Sequence, residues 1–257
     1  MFFIIKRKKV ILFFLLCVLI CSIIYFIFNI VSEKTILVSA FEEENLQDKI
    51  SNLMNGDEKI AYLTFDDGPT SKSTPKILKI LSEENVKATF FVIGKHVKQN
   101  PELVKQAYND GHYIANHGYS HNNNKLYSSG DNFINEIKST DLEIGKAIGI
   151  DNYSSHIFRF PNGYMASAFK SQKQQYAKLL NDINYAYIDW NCLNKDSEKK
   201  YTNSELLNNL KNSCKNKGTL VILMHDTSDV NETDLVLKDS IDYLKEEGYI
   251  FKNFYNF

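Results

Sequence analysis

The sequence predicts an α/β protein, a parallel sheet covered by helices. Two observations predict it. From Ile60 onward, short apolar runs alternate with amphipathic stretches, and runs of this kind are buried on both faces. No Gly-rich phosphate loop follows any run, which argues against a nucleotide-binding version and a nucleotide cofactor. Seven βα-type units can be counted. A closed or nearly closed barrel fits them as well as an open doubly wound sheet does.

The elements follow in order. Ile60–Phe65 reads as a strand and Thr74–Glu83 as a helix, with Thr74 as its cap and Pro75 in its first turn. Ala88–Ile93 is a strand, followed by a helix over Glu102–Asn109 and a short strand over Tyr113–Ala115. Asp131–Gly149 is a long helix with Phe133, Ile134, Ile137, Leu142, Ile144 and Ile148 at apolar positions. Ile157–Phe160 and Tyr185–Ile188 are strands, separated by a helix over Ala166–Asn181. A helix over Ser204–Lys215 leads to the strongest strand, Thr219–Met224. A helix over Asp234–Glu247 and a strand over Tyr249–Phe251 complete the pattern.

The N-terminus is of another kind. Val10–Val31 is an uncharged run of 22 residues. As a helix it spans about 33 Å, enough for a bilayer core. Lys6, Arg7, Lys8 and Lys9 precede it, so the expected topology is a cytoplasmic segment 1–9, a transmembrane anchor 10–31 and everything else outside the cell. Val38-Ser39-Ala40 resembles a signal-peptidase site, but it lies far past the apolar run, and an uncleaved anchor is the reading adopted. Residues 32–58 read as an extracellular stalk, or as a lead-in helix packed on the domain, and 59–257 as the α/β domain.

Hydrophobic residues make up 44% and charged residues 24%, the balance of a globular chain. The overall charge is −1, and the four basic residues ahead of the anchor leave the remainder at −5, which gives no support for nucleic-acid binding. Cys17 and Cys21 lie in the apolar run and fit no lipobox, because Leu16 and Ile20 precede them. Cys192 and Cys214 either pair, in an oxidising compartment, or are buried thiols.

Five polar constellations fall at the C-terminal ends of different predicted strands, the face on which barrels build active sites. Asp66 and Asp67 end the first strand, just before Gly68-Pro69. Two carboxylates at a bend can divide labour, one holding a metal and one moving a proton, although Asp-Gly-Pro is also ordinary turn chemistry. His117 and His121 follow the third strand, four residues apart, so both imidazoles can meet one ion; with a carboxylate they make a two-His, one-carboxylate site. Arg159 follows the fourth strand and can hold a carboxylate ionised. Asp189-Trp190 follows the fifth, and Trp190 is the chain's one tryptophan. His225 emerges from the apolar sixth strand, where it suits proton transfer, unless it is a satisfied core histidine. His96, His112 and His156 lack such partners and read as structural or surface residues.

From about Lys59 to Tyr255 the chain resembles the polysaccharide deacetylases of carbohydrate esterase family 4, the NodB homology type. Thr64-Phe65-Asp66-Asp67-Gly68-Pro69 resembles the family's first motif, which implies Asp66 as catalytic base and Asp67 as metal ligand. His117-Gly118-Tyr119-Ser120-His121 resembles the second, whose two His complete the metal triad. Arg159-Phe160-Pro161-Asn162-Gly163 resembles the third, whose Arg positions the base and whose backbone N–H, here at Asn162, helps form the oxyanion hole. Asp189-Trp190 resembles the fourth, implying that Asp189 pairs with the catalytic His and that Trp190 meets substrate. Leu223-Met224-His225 resembles the fifth, implying Leu223 in substrate binding and His225 as general acid. Lys87-Ala88-Thr89-Phe90-Phe91 is also typical of the family's second strand.

The resemblance implies a distorted (β/α)7 barrel, a bound divalent metal such as Zn²⁺ or Co²⁺, and N-deacetylation of a glycan. For a membrane-anchored enzyme outside the cell the expected substrate is the N-acetylglucosamine of peptidoglycan, and the expected consequence is lysozyme resistance. N-acetylmuramic acid, chitin-type oligomers and an exopolysaccharide are the alternatives within the class. A catalytically inactive glycan-binding wall protein is the rival outside it. Three departures stand out: Gly118 replaces a Ser or Thr, Phe160 a Pro, and Asn162 an aromatic residue.

Overall fold

The computed structural model describes Tyr25, residues 45–227 and residues 230–255. The expected cytoplasmic segment, the anchor apart from Tyr25, and residues 32–44 lie outside the described residues. Among the described residues no helix is long and apolar enough to cross a membrane.

In chain order the elements are α1 (Leu46–Met54), β1 (Ile60–Asp66), α2 (Thr74–Glu83), β2 (Thr89–Val92), α3 (Gly94–Gln99), α4 (Pro101–Asn109) and β3 (Tyr113–Asn116). Then come α5 (Asn123–Leu126), α6 (Gly130–Ile148), β4 (Ile157–Phe158), α7 (Lys170–Asp182), β5 (Ala186–Tyr187) and β6 (Cys192–Leu193). The last are α8 (Asn203–Cys214), β7 (Leu220–His225), α9 (Asp234–Glu246) and β8 (Ile250–Lys252). The sheet runs β5-β4-β3-β2-β1-β7-β6, with β8 also on β1, and every pairing is parallel. It curls into an incomplete barrel of the distorted (β/α)7 kind. The gap falls between β5 and β6, which follow one another in the chain but do not pair.

The sequence reading missed β6, which has only two residues and no run of its own. It also assigned nothing to α3, which a break at Asn100 separates from α4, where Pro101 opens the next helix. Thr74 does not cap α2. Its hydroxyl accepts from the Thr70 N–H at 2.7 Å and donates to Asp226 Oδ2 at 2.6 Å.

The stalk expected over 32–58 is corrected in its second half. The compact unit begins at Asn45, and α1 belongs to it. Asn45 caps the helix by accepting from the Gln47 N–H at 2.7 Å. Ile50 is fully buried with Tyr62, Phe91, Ile157, Val221 and Phe254, the apolar filling inside the curl. The Gln47 side chain donates to the Tyr187 carbonyl at 3.2 Å and accepts from the Tyr187 N–H at 2.9 Å. Asn191 does the same for β7: its side chain donates to the Thr219 carbonyl and accepts from the Val221 N–H, both at 2.9 Å. A second apolar cluster, with Leu63, Phe65, Ile77, Leu81, Ile222 and Met224, lies between sheet and helices. Cys192 and Cys214 are joined in a disulfide, Cα–Cα 5.2 Å, which ties β6 to the end of α8.

Alternation along β1 sends Tyr62, Thr64 and Asp66 to the inside and Leu63 and Phe65 to the helices. The same alternation on β7 gives Val221, Leu223 and His225 to the inside. Register pairs Asp66 with His225, so both strands deliver their last inward residue to one level.

Candidate active site

Asp66 ends β1, almost fully buried, and Asp67 follows with φ +75°. That left-handed turn costs a non-glycine residue about 1–2 kcal/mol. It swings the second carboxylate into the cleft of the first. Gly68 must be glycine here, because a Cβ would lie 2.1 Å from Asp226 Oδ2. Burial pushes the Asp226 carboxyl up to about 8, so it packs as a largely neutral group against Thr74 and the turn.

Asp67, His117 and His121 offer ligand atoms that all lie within 4.8 Å of one another. Asp67 Oδ1 stands 3.5 Å from His117 Nε2 and 3.2 Å from His121 Nε2. Ligands at about 2.0–2.1 Å from one tetrahedral ion are about 3.3 Å apart, so these spacings fit a shared metal. Asp67 Oδ1 is buried and has no hydrogen-bond partner, an orphaned acceptor that a cation satisfies. His117 Nδ1 lies 2.8 Å from the Arg159 carbonyl. That bond assigns the proton to Nδ1 and leaves the Nε2 lone pair facing Asp67. Burial raises the Asp67 carboxyl, but the imidazoles beside it, His117 foremost, hold it well below the usual carboxylate range. The donor set, one carboxylate and two imidazoles, suits a borderline cation.

The loop carrying the two His is held from outside the motif. Gly118 has φ +80°, and a Cβ there would meet Glu136 Oε2 and Leu126 Cδ1 at ordinary contact distances of 3.9 and 4.0 Å. Glu136 Oε2 accepts from the N–H groups of Tyr119 and Ser120, at 2.9 and 2.7 Å, and from the Ser120 hydroxyl. Asn116 accepts from the Gly118 N–H and donates to Asp141, each at 2.9 Å. A Ser or Thr at 118 is therefore dispensable for loop order. His96 Nδ1 lies 2.7 Å from the Asp67 carbonyl, while His112 and His156 bond backbone elsewhere, so all three stay outside the ligand set.

Arg159 is completely buried just past β4. It donates to Asp66 Oδ1 at 2.8 Å, Thr64 Oγ1 at 2.7 Å, and the Ile188 and Asp189 carbonyls at 3.1 Å. Its guanidinium lies 4.0 Å from the Phe91 ring centre. The remaining oxygen of Asp66 is left 3.7 Å from His117 Nε2.

His225 is where the sequence reading needs correction. Its Nδ1 lies 2.7 Å from Asp196 Oδ1, not from Asp189. Asp196 is buried, accepts from the His225 N–H at 2.8 Å through Oδ2, and accepts there from Thr233 as well. Burial pushes the imidazole down, and the Asp196 carboxylate outweighs it, leaving His225 raised to about 9. Asp189 faces the other way. Its two oxygens accept from the N–H groups of Tyr164 and Met165, at 2.7 and 3.0 Å. It anchors the Asn162 loop, and buried Lys173 pins the same loop by donating to the Gly163 carbonyl at 2.6 Å. Asn162 is exposed there at φ +62°. Gly163 follows at φ +82°, and a Cβ on it would lie 2.9 Å from the Trp190 ring. Leu223 is buried one inward position below His225.

Sequence reasoning overlooked Asp196, Glu136, Asn116 and Lys173. Glu136 and Lys173 left a signal: each sits on the buried stripe of its helix, three residues from Phe133 and Tyr176 respectively.

A family model described as polysaccharide deacetylase matches residues 54–182. The chain belongs to the polysaccharide deacetylase family. It is a hydrolase of the carbohydrate esterase family 4, NodB type. The deacetylase is 35% identical over 209 residues to a peptidoglycan-N-acetylglucosamine deacetylase of Bacillus cereus, covering 78% of this chain and 71% of that relative. It is 30% identical over 201 residues to the peptidoglycan-N-acetylmuramic acid deacetylase PdaA of Bacillus subtilis, covering 78% and 72%. Its fold is similar to a solved CE4 esterase of Streptococcus mutans, with TM-score 0.72, 28% identity, and 80% of this chain and 90% of that chain covered. Asp196 and His225 lie beyond the matched segment, and the fold itself brings them to the site.

Proposed function

We propose that the deacetylase removes N-acetyl groups from a cell-wall glycan, with the N-acetylglucosamine of peptidoglycan as substrate. One observation carries the reading. The Asp67, His117 and His121 cluster has on its rim a buried carboxylate fixed by Arg159 and an imidazole fixed by Asp196. When bound by that cluster, a divalent ion, Zn²⁺ by donor set with Co²⁺ as substitute, polarises an acetyl carbonyl and lowers the pKa of water.

The chain's own groups do the rest. Asp66 takes the proton of the attacking water, and the Arg159 hydrogen bond keeps that carboxylate aimed. The backbone N–H of Asn162, on a loop clamped by Asp189 and Lys173, donates to the oxyanion that forms on the acetyl oxygen as water adds to the carbonyl carbon. His225, protonated and oriented by Asp196, gives its proton to the leaving nitrogen. The carbon–nitrogen bond breaks, giving acetate and a free amino sugar. Leu223, buried beneath His225, offers an apolar contact for the acetyl methyl group. The B. subtilis relative's name keeps N-acetylmuramic acid as the second reading.

The proposed location is the outer face of the membrane, with an N-terminal anchor over 10–31. The Cys192–Cys214 disulfide supports an oxidising exterior. The experiment is acetate release by the full chain, loaded with Zn²⁺ or Co²⁺, from peptidoglycan and from chitooligosaccharides. Release that a chelator abolishes is the expected result. No release from any N-acetylated glycan by the metal-loaded protein overturns the reading.

A further inference from the structure

Asp196 follows a strand that the sheet itself holds weakly. β6 is two residues long and is the last strand before the gap. It pairs with β7, Cys192 opposite Ile222 and Leu193 opposite Leu223. A strand so short gains little from its ladder. Its position comes from α8 instead. The buried Cys192–Cys214 disulfide runs from the first residue of β6 to the last residue of that helix. The Leu193 N–H donates to Ser213 Oγ at 3.0 Å, and Asn209 Nδ2 donates to the Asn194 carbonyl at 3.3 Å. Asn194, completely buried, then accepts from the Asp196 N–H through Oδ1 at 3.1 Å. Consecutive residues from Cys192 to Asn194 are thus fixed to one helix, and the last of them reaches the backbone of Asp196.

We propose that this clamp, the Cys192–Cys214 disulfide together with Asn194, positions the general acid by holding Asp196 against His225. The proposal rests on the deacetylase reading above. Cys192, Cys214 and Asn194 are all buried, and they act on the reaction only through Asp196. The other contacts of Asp196 come from the segment ahead of α9. Asn231 Nδ2 donates to its carbonyl at 2.7 Å, and the Thr233 hydroxyl donates to its carboxylate. Those contacts set Asp196 against that segment, whereas the clamp sets it against the strand beside β7, which carries His225. A proton-transfer pair tolerates little displacement: a shift of about 1 Å can cost on the order of 10²-fold in rate.

A disulfide that merely stabilises restricts the unfolded chain and leaves the folded site alone. The two roles therefore differ in what they change at His225. The charged groups facing that imidazole are Asp196, from the loop after β6, and Asp66 and Asp67, from the end of β1. Only Asp196 belongs to the clamped loop. Cutting the clamp lowers the titration of His225 by moving away the carboxylate that raises it.

The test compares the Zn²⁺-loaded full chain with the double variant Cys192→Ala/Cys214→Ala, with Asn194→Ala, and with Ile50→Ala as a control that loses stability far from β6. Acetate release from chitopentaose gives kcat and KM across pH. NMR follows the His225 imidazole, identified by its loss in His225→Gln. In both clamp variants kcat should fall about tenfold or more with KM little changed. His225 should titrate at lower pH than in wild type, and Zn²⁺ affinity should be unchanged. Ile50→Ala should melt lower but keep the wild-type kcat and His225 titration. Clamp variants that melt lower yet keep both overturn the proposal. If the double variant does not fold, Asn194→Ala decides by the same two readings. A lowered His225 titration in the variants, with no acetate release from any N-acetylated glycan by the wild type, sinks the deacetylase reading and leaves the clamp on Asp196 standing.

Discussion

Asp196 grips His225 twice, through the imidazole Nδ1 at 2.7 Å and through the backbone N–H at 2.8 Å. One carboxylate thus fixes both the ring and the strand end that carries it. Replacing it should separate its role from that of Asp189. Asp196→Ala is expected to lower kcat by about 10²–10⁴-fold, the size of a lost general acid. Asp189→Ala should instead loosen the Asn162 loop and leave the His225 titration in place. Equal alkaline limbs in wild type and Asp196→Ala would contradict the pairing.

The pH profile follows from the same contact. His225 must be protonated to act as an acid, and its pKa is raised to about 9. Activity should fall as pH rises through that value, or somewhat below it once a bound cation adds positive charge nearby. Asp196→Ala removes the raising partner, so the alkaline limb should move to lower pH. Stability has the same sign: the contribution of the pair is complete below the unfolded histidine value of about 6.5 and is lost as pH rises through about 9. A pH–rate series on the two proteins checks both.

Metal should stabilise the fold as well as support turnover. The cluster exists only in the folded chain, so a cation at 100 times its dissociation constant adds about 2.7 kcal/mol. The melting temperature should drop on chelation and recover with Zn²⁺. Asp67→Ala should melt at one temperature with or without Zn²⁺. A metal-dependent shift in that variant would move the site elsewhere.

Arg159→Met should cost about 3–5 kcal/mol, because it leaves Asp66 as an unpaired carboxylate in a buried setting. Arg159→Lys should recover little of this, since an ammonium cannot reproduce the four separate bonds of the guanidinium. Urea denaturation of the three proteins gives the comparison.

Ile50→Ala tests whether α1 is part of the domain. A buried isoleucine cut to alanine costs about 2–5 kcal/mol, whereas a stalk residue costs almost nothing. A melting temperature equal to wild type would return residues 46–54 to the stalk.

Most of the site was legible because its residues end strands that are long or strongly apolar. Asp66, His117 and His225 each follow a run that announces itself, and the runs place their ends on one face. Arg159 was legible for the same reason, although β4 turned out to be only two residues long. Asp196 was not legible, because β6 is too short to show a period and its loop has no pattern. The Asp-Trp doublet at 189–190 drew the assignment instead. The groups that stiffen the loops were hidden for another reason. Glu136 and Lys173 act on backbone atoms, and a sequence does not print which carbonyl or N–H is left to satisfy. The lead-in helix was only half legible, since nothing in its own pattern shows that the barrel has a gap for it to fill.

That gap has a cost that the two side-chain amides meet. An incomplete barrel ends in rims of peptide groups, and a rim of that kind recruits any passing strand, including one from a sister molecule. Gln47 and Asn191 each imitate a single peptide unit and occupy part of the rim on which the sheet would otherwise grow. Gln47→Leu should therefore betray itself as self-association on light scattering at working concentrations. The two amides act as stoppers against misassembly, and at those two positions they let the barrel stay open without inviting a neighbour in.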